Sequence, residues 1–185
     1  MTSDQVFTLL QQAIQEFYTR DAAYAPERNC VARIAGYMQC MLEHDIGNDN
    51  LRVDCEYAKV TANENNEYVK QLDSYGVFGG LSIKHSRGCI YPDIIVHERG
   101  THANNLLVVE FKGYWNRSKW DKDEAKLKAF TKECPHENIK KYFNYQRGVF
   151  VALGRNKAHL VEFINGEQVS QNQSVNQLQH QRGEL

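Results

Sequence analysis

Residues 91–113, YPDIIVHERGTHANNLLVVEFKG, constrain the fold of this chain more than any other segment. Two runs of aliphatic residues flank a polar turn that contains glycine, a pattern typical of two antiparallel strands. Sixteen residues, 94–109, separate Asp93 at the start of the first strand from Glu110 near the end of the second. Because the first strand runs out and the second runs back, we expect Asp93 and Glu110 to lie side by side at one end of the hairpin.

The charges at that end of the hairpin predict a metal centre. Glu110 and Lys112 are two residues apart on one strand, so their side chains project from the same face of the sheet. Neighbouring carboxylates with no arginine beside them repel each other, and a hard cation such as Mg²⁺ or Mn²⁺ relieves that repulsion. Such a cation activates water, and Lys112 could hold that water or stabilise the developing charge. The alternative is that Asp93, Glu110 and Lys112 are ordinary strand-end charges.

A further carboxylate occupies a position where an apolar side chain is expected. Pro26 suits the first turn of a helix, and an apolar stripe that includes Val31 and Ile34 follows it. Glu27 precedes Val31 by four residues, so it extends this stripe onto the inward face of the helix. The pattern therefore predicts that Glu27 faces inward at the start of this helix. The alternative is a helix-start residue favoured only by the helix dipole.

The hydrophobic periodicity predicts a layered α/β domain with a mixed central sheet flanked by helices. We expect one domain over residues 1–165, with an elaborated connection at 61–82. Residues 166–185 are polar and rich in glutamine, which predicts a tail that is mobile or binds a partner. The predicted elements are a first helix capped by Ser3, a helix from Pro26, strands over 51–60 and within 91–113, a helix over 118–134, and strands over 148–154 and 158–164.

Composition disfavours several classes of protein. No stretch of the chain approaches the ~18 apolar residues of a membrane span. The N-terminal sequence MTSDQVFTLL lacks the basic start and the long apolar run of a signal peptide. We therefore expect a soluble, cytoplasmic protein that does not bind a membrane. The five cysteines form no CxxC pair and the seven histidines no HExxH motif, which disfavours a disulfide framework, a structural zinc site and a zinc hydrolase.

The charge distribution points to a polyanionic partner, although the net charge is only −1. Residues 43–73 carry eight acidic and three basic side chains, whereas residues 112–147 carry ten basic and five acidic ones. This asymmetry predicts an attractive field for nucleic acid, with a solvated lysine face of a helix as the alternative. Trp115 and Trp120 either stack on bases or pack in the core. The predicted contacts to nucleic acid are Lys84, Arg87, Arg117, Lys119, Lys126 and Lys128.

Taken in chain order, the predicted helices and strands and the charged motif resemble the PD-(D/E)XK nuclease superfamily over about residues 26–153. PDIIV followed by LLVVEFK resembles the family's motif, and PERNCVARIAGYM resembles its leading helix. DCEYAK is similar to the first core strand of the family. DKDEAKLKAFT resembles the helix that follows the motif, and YQRGVFVAL resembles the strand after that helix. The resemblance implies a restriction-endonuclease-like core of helix, three-stranded meander, helix and strand. A Gly-Tyr-Trp run after Lys112 and the connection at 61–82 depart from the family pattern and leave the substrate open.

The resemblance also implies a role for each residue of the predicted site. Asp93 and Glu110 would be metal ligands, and Lys112 the catalytic lysine. Glu27 would be an auxiliary metal ligand or a residue that positions water. The implied activity is Mg²⁺- or Mn²⁺-dependent hydrolysis of nucleic acid, with DNA favoured over RNA, by a homodimer or with a partner subunit, in defence or DNA processing. The alternative is a nuclease-fold subunit that binds a protein or a nucleic acid without cutting.

Overall fold

A computed structural model describes residues 1–21, 26–44, 50–55, 59–62, 66–69, 91–99, 104–114, 116, 120–132 and 144–176. Three helices lie in these ranges: α1 (Ser3–Arg20), α2 (Glu27–His44) and α3 (Trp120–Thr131). The strands are β1 (Leu51–Cys55), β2 (Lys59–Ala62), β3 (Asn66–Val69), β4 (Ile94–Glu98), β5 (Asn105–Gly113), β6 (Arg147–Leu153), β7 (Lys157–Ile164) and β8 (Glu167–Asn176). None of the helices in the described ranges combines the length and the apolar character that crossing a membrane requires.

Six of the strands form one mixed sheet in the order β1-β4-β5-β6-β7-β8. Neighbouring strands are antiparallel except β5 and β6, which are parallel. Helix α3 lies between these two strands in the chain, because a parallel pair requires a long crossover connection. The predicted mixed α/β class is therefore confirmed. Strands β2 and β3 form a separate two-stranded sheet. They contain residues 61–62 and 66–69 of the connection predicted at 61–82, and the rest of that connection lies outside the described ranges.

The hairpin predicted within 91–113 is confirmed as strands β4 and β5. The two strands pair antiparallel with Ile94 opposite Val109, and the register shifts between Val96 and His97, near the turn. Every residue of β4 except Glu98 is buried, and so is every residue of β5 except Lys112. Both strands lie in the middle of a sheet that is covered on both faces, which explains their long aliphatic runs.

Helices cover both faces of the sheet, and the pleat divides the strand residues between them. Helices α1 and α2 pack on one face, against a cluster that includes Ile94, Val96, Leu107, Val109, Val149 and Val151. Helix α3 packs on the other face, where Leu127 and Phe130 meet Ile95, Val108, Phe150 and Phe163. Asp93 lies two residues before Ile95, and Glu110 and Lys112 lie two and four residues after Val108. By the strand alternation, all three belong to the face of the sheet that α3 covers.

Helix α1 begins with a capping box that involves Thr2. The Thr2 hydroxyl accepts a hydrogen bond from Gln5 N–H (3.3 Å), and the Gln5 side chain accepts one from Thr2 N–H (2.8 Å). The prediction that Ser3 caps the helix is wrong by one residue, because Ser3 already has helical geometry.

Arg147, at the start of β6, connects α1 to the sheet. Its guanidinium pairs with Asp4 of α1 and with Glu162 of β7 (2.7 Å), and it lies 4.8 Å from the centre of the Phe7 ring. Gln173 of β8 donates a hydrogen bond to the other Glu162 oxygen (2.8 Å). One buried arginine therefore links the first helix to strands β6 and β7.

Strand β8 occupies part of the segment predicted to be a tail. Residues 167–176 pair with β7 instead of leaving the domain at Gly166. Asn165 (φ 54°) and Gly166 (φ 80°) form the two-residue turn in the left-handed conformation, which these residue types adopt most readily. The tail prediction is therefore wrong for 167–176, and residues 177–185 lie outside the described ranges.

Gly148 of β6 sets how closely α3 packs on the sheet. A Cβ atom at this position would lie 3.0 Å from Thr131 Cγ2 and 3.4 Å from Leu127 Cβ, both on α3. A side chain would meet these atoms, so the glycine permits the close approach of helix and strand. The approach brings the charged side chains of α3 within reach of β5.

Substitution of Gly148 by valine should lower the free energy of unfolding by ~1–3 kcal/mol, because the added methyl groups overpack the contact with α3. Gly36 is the matched control, since it is exposed on α2 and nothing lies within 4 Å of its Cβ position. Gly36→Ala should raise the same free energy by ~0.5–1 kcal/mol through its effect on the helix backbone. Chemical denaturation measures both. Equal stability of Gly148→Val and wild type would contradict the packing of α3.

Candidate active site

Asp93 lies at the entrance to β4, beside the end of β5. Its Oδ2 atom accepts a hydrogen bond from Phe111 N–H (2.7 Å), which fixes the carboxylate against the neighbouring strand. The pairing of Ile94 with Val109 puts the next position along, Asp93, beside Glu110. Burial raises the pKa of Asp93 above its ordinary value, against the hydrogen bond from Phe111, which lowers it.

Glu110 is the most deeply buried acid of this cluster, with 2% of its surface exposed. Its Oε2 atom accepts a hydrogen bond from Lys126 Nζ (3.0 Å). Its Oε1 atom is buried and has no hydrogen-bond partner within the described ranges. Burial raises the pKa of Glu110 to about 8, with a further contribution from the charges of Asp93 and Asp123. A buried carboxylate oxygen without a partner is a position that a cation would stabilise.

Lys112 and Glu27 meet at the end of β5. The Lys112 ammonium lies 3.8 Å from Glu27 Oε1 and 3.1 Å from Asp123 Oδ2. Glu27 Oε2 accepts a hydrogen bond from Gly113 N–H (2.6 Å), so the first residue of α2 binds the backbone of the strand that carries Lys112. The structure thus brings Glu27 to the same cluster as Lys112.

Helix α3 adds two charged side chains to the cluster. Asp123 and Lys126 are three residues apart on one face of the helix, and Lys126 Nζ lies 2.8 Å from Asp123 Oδ1. Both side chains are largely shielded from solvent. Asp123 therefore contacts both lysines of the site, because its other oxygen faces Lys112. The result is a row of alternating charges: Glu27, Lys112, Asp123, Lys126 and Glu110.

The carboxylates keep both lysines charged. Burial lowers the pKa of Lys112, but Asp123 and Glu27 outweigh this effect, and the pKa lies above its ordinary value. Burial also lowers the pKa of Lys126, and Glu110 and Asp123 outweigh it in the same way. Each lysine is therefore an ammonium ion at neutral pH, able to hold an anion or a water molecule but not to ligate a metal.

The oxygen atoms of this cluster suit a hard divalent cation. Within the described ranges, no three Cys, His, Asp or Glu side chains converge as a metal-binding group. Mg²⁺ needs fewer protein ligands than that, since it keeps several waters and commonly binds through one or two carboxylates. Asp93 and Glu110 can supply such a pair, and Glu110 Oε1 is unpaired. Both oxygens of Glu27 are engaged with Gly113 and Lys112, so its role as an auxiliary ligand stays a prediction.

Of the residues predicted to contact nucleic acid, Lys126 and Lys128 lie in the described ranges. Lys126 was predicted to contact phosphates from a helix surface, but its ammonium lies inside the carboxylate cluster. Lys128 is exposed and lies 6.0 Å from the centre of the Phe163 ring. Trp120 packs on Phe150 (5.3 Å between ring centres), which favours the core alternative for this tryptophan. The residues that lie outside the described ranges are Lys84, Arg87, Trp115, Arg117 and Lys119.

Asp123 is the site residue that the sequence analysis missed. The buried apolar positions of α3 include Leu127 and Phe130. Asp123 and Lys126 precede Leu127 and Phe130 by four residues each, so they extend the same stripe towards the N-terminus of α3. This is the same signal that identified Glu27 on α2.

No protein-family model, no curated protein and no solved structure matches this chain. Its function is therefore inferred from the sequence pattern and from the geometry of its own residues.

The raised pKa of Glu110 predicts how the stability of the metal-free protein depends on pH. The ordinary pKa of this carboxyl is 4.5, whereas the folded protein holds the proton to about pH 8. Between these values the folded state binds more protons than the unfolded state, so the free energy of unfolding falls as pH rises. The melting temperature in EDTA should therefore decrease from about pH 5 to about pH 8.

The Glu110→Gln side chain carries no charge at any pH, so this variant should show a smaller decrease of the melting temperature with pH. Some decrease should remain, because the raised pKa of Asp93 contributes in the same direction. Glu43→Gln, at an exposed position of α2, serves as the control and should keep the wild-type slope. Thermal melts across the pH range compare the three proteins. A Glu110→Gln slope as steep as that of wild type would show that Glu110 is not the group that titrates.

Proposed function

We propose that this protein is a Mg²⁺- or Mn²⁺-dependent nuclease that hydrolyses phosphodiester bonds, with DNA as the favoured substrate. The observation that carries the proposal is the meeting of Asp93, Glu110 and Lys112 at one end of the β4–β5 hairpin, with a buried oxygen of Glu110 left unpaired. Two carboxylates and one lysine in this arrangement combine a metal-binding pair with a fixed positive charge. This combination suits attack of water on a phosphodiester.

The topology supports the same proposal. Helix α2, strands β1, β4 and β5, helix α3 and strand β6 follow one another in the large sheet and on its faces, with β5 parallel to β6. This order agrees with the helix, meander, helix and strand of the restriction-endonuclease-like core that the sequence resembles. The motif residues lie where β4 begins and β5 ends, next to α2 and α3.

Each side chain of the cluster has a distinct role in the proposed reaction. Asp93 and Glu110 would hold the cation, which supplies an activated water molecule and a Lewis acid when bound. Lys112 would hold the attacking water or stabilise the negative charge that develops on the phosphate. Glu27 and Asp123 position the Lys112 ammonium from two sides, at 3.8 Å and 3.1 Å.

The surface of α3 supports a polyanionic substrate. Lys122, Lys128 and Lys132 are exposed on this helix and its C-terminal end, whereas Lys126 is occupied inside the cluster. Exposed lysines near the site would attract phosphates without regard to sequence. The preference for DNA, the action in defence or DNA processing, and the need for a second copy or a partner subunit follow from the family resemblance alone.

A second candidate function is a nuclease-fold subunit that binds a partner without cutting. The observation that favours it is the pairing of Glu110 with Lys126, because an ammonium already compensates the carboxylate that a cation would need. Metal binding separates the two functions. A nuclease should bind Mg²⁺ or Mn²⁺ through Asp93 and Glu110, whereas a non-cutting subunit should keep the lysine pair in place.

Substitution of the predicted ligands should abolish cleavage. Asp93→Ala and Glu110→Ala should each show no activity on plasmid, linear or single-stranded DNA or on RNA, because each removes a ligand for the cation. Lys112→Ala should keep the metal and lose ~10²–10³ in rate, the usual cost of one positioned charge. Asp121→Ala alters an exposed residue of α3 and should cut like wild type. The assay compares Mg²⁺ or Mn²⁺ with EDTA.

Thermal melts provide a measure that does not depend on activity. Mg²⁺ should raise the melting temperature of wild type and Lys112→Ala, but not that of the two carboxylate variants, since only a protein that binds the cation is stabilised by it. Cleavage by Lys112→Ala at the wild-type rate would rule out the role assigned to this lysine. An absence of metal-dependent cleavage of every substrate by the wild-type protein would rule out the nuclease itself.

A further inference from the structure

Lys126 lies in the part of the cluster where a metal ion would need space. Its ammonium is 3.0 Å from Glu110 Oε2 and 2.8 Å from Asp123 Oδ1, and only 16% of its side chain is exposed. A lysine head group with two carboxylate oxygens at these distances makes charge-assisted hydrogen bonds on both sides. This is the contact that stabilises the buried charge of Glu110 within the described ranges.

The cluster requires a positive charge at this position. Asp93, Asp123 and Glu110 are carboxyl groups close enough to influence one another, and Glu110 and Asp123 are almost fully buried. A buried carboxylate without a partner is strongly unfavourable. Lys126 provides one positive charge to Glu110, whereas a divalent cation would provide two and would also bring its own water molecules.

The two cations would compete for the same carboxylate. Glu110 is a predicted metal ligand, and one of its two oxygens is held by Lys126. An ammonium and a divalent cation that share one carboxylate also repel each other across a short distance in a site of low dielectric constant. The lysine side chain has four flexible methylene groups, so it can move away without any displacement of the helix backbone.

We propose that Lys126 is an internal cation that stabilises the metal-free site and is released from Glu110 when the divalent metal binds. The proposal rests on the proposed function, because it assumes that Glu110 is a metal ligand. One ammonium–carboxyl pair breaks, one metal–carboxylate contact forms, and a proton bound to Glu110 passes to the solvent. The released ammonium lies on the helix that exposes Lys122 and Lys128, where it would add to the positive charge that faces a phosphate backbone.

The reactivity of Lys126 towards an amine-acylating reagent tests the release directly. Mass spectrometry after a short pulse of acetic anhydride measures acylation of Lys126 and of Lys122, which is exposed on the same helix and serves as the internal control. In EDTA, Lys126 should react much more slowly than Lys122, since its ammonium is buried and paired. Saturation with Mg²⁺ should raise Lys126 labelling severalfold towards that of Lys122 and leave Lys122 unchanged.

Metal affinity provides a second measure that does not depend on activity. Lys126→Met removes the competing ammonium and should bind Mn²⁺ about tenfold more tightly in calorimetry, a change of ~1.4 kcal/mol. Lys122→Met should bind Mn²⁺ like wild type. Affinity of Lys126→Met equal to or weaker than that of wild type would overturn the competition.

The outcomes separate this proposal from the nuclease proposal. Mg²⁺ binding with unchanged or decreased labelling of Lys126 would mean that the lysine stays on Glu110, which overturns the release and leaves the metal site intact. No Mg²⁺ or Mn²⁺ binding by the wild-type protein, in calorimetry and in thermal melts, would overturn both proposals. Metal binding with increased labelling supports the release whether or not the protein cuts the substrates offered.

Discussion

The antiparallel register of β4 and β5 determines where the charged cluster forms. Ile94 opposite Val109 puts Asp93 beside Glu110, and the hydrogen bond from Phe111 N–H to Asp93 fixes that end of the pair. A shift of one residue would turn Glu110 and Lys112 to the opposite face of the sheet, away from α3. The register is in turn maintained by burial on both faces, since the aliphatic residues of these strands are divided between the two apolar clusters.

The electrostatics of the cluster follow from its depth. Burial is the largest effect on the pKa of Glu110, which lies at about 8 even with Lys126 beside it. Helix α3 counters this effect by bringing Lys126 to Glu110, and Asp123 holds Lys126 and Lys112 at 2.8 Å and 3.1 Å. The close packing of α3 at Gly148 makes these contacts possible. The small size of Gly148 therefore allows the charged side chains of α3 to reach those of β5.

The extent of sequence-based prediction differs from element to element. The β4–β5 hairpin and the inward position of Glu27 follow from local periodicity, so they could be inferred without a structure. The position of Asp123 was available from the same periodicity, but its partners depend on how closely α3 approaches β5, which no local pattern specifies. Strand β8 was missed because its polar composition suggested a tail, although Asn165 and Gly166 are a known hairpin signal.

The proposed nuclease requires Asp93 and Glu110 to bind a divalent metal ion. Diffraction from crystals soaked in Mn²⁺, with data collected at the manganese absorption edge, would locate such an ion. We expect one anomalous peak at about 2.1 Å from an oxygen of each carboxylate, with water completing the coordination. An absence of any peak at these residues under saturating Mn²⁺, with Lys126 still paired to Glu110, would contradict the metal site and the nuclease function proposed from it.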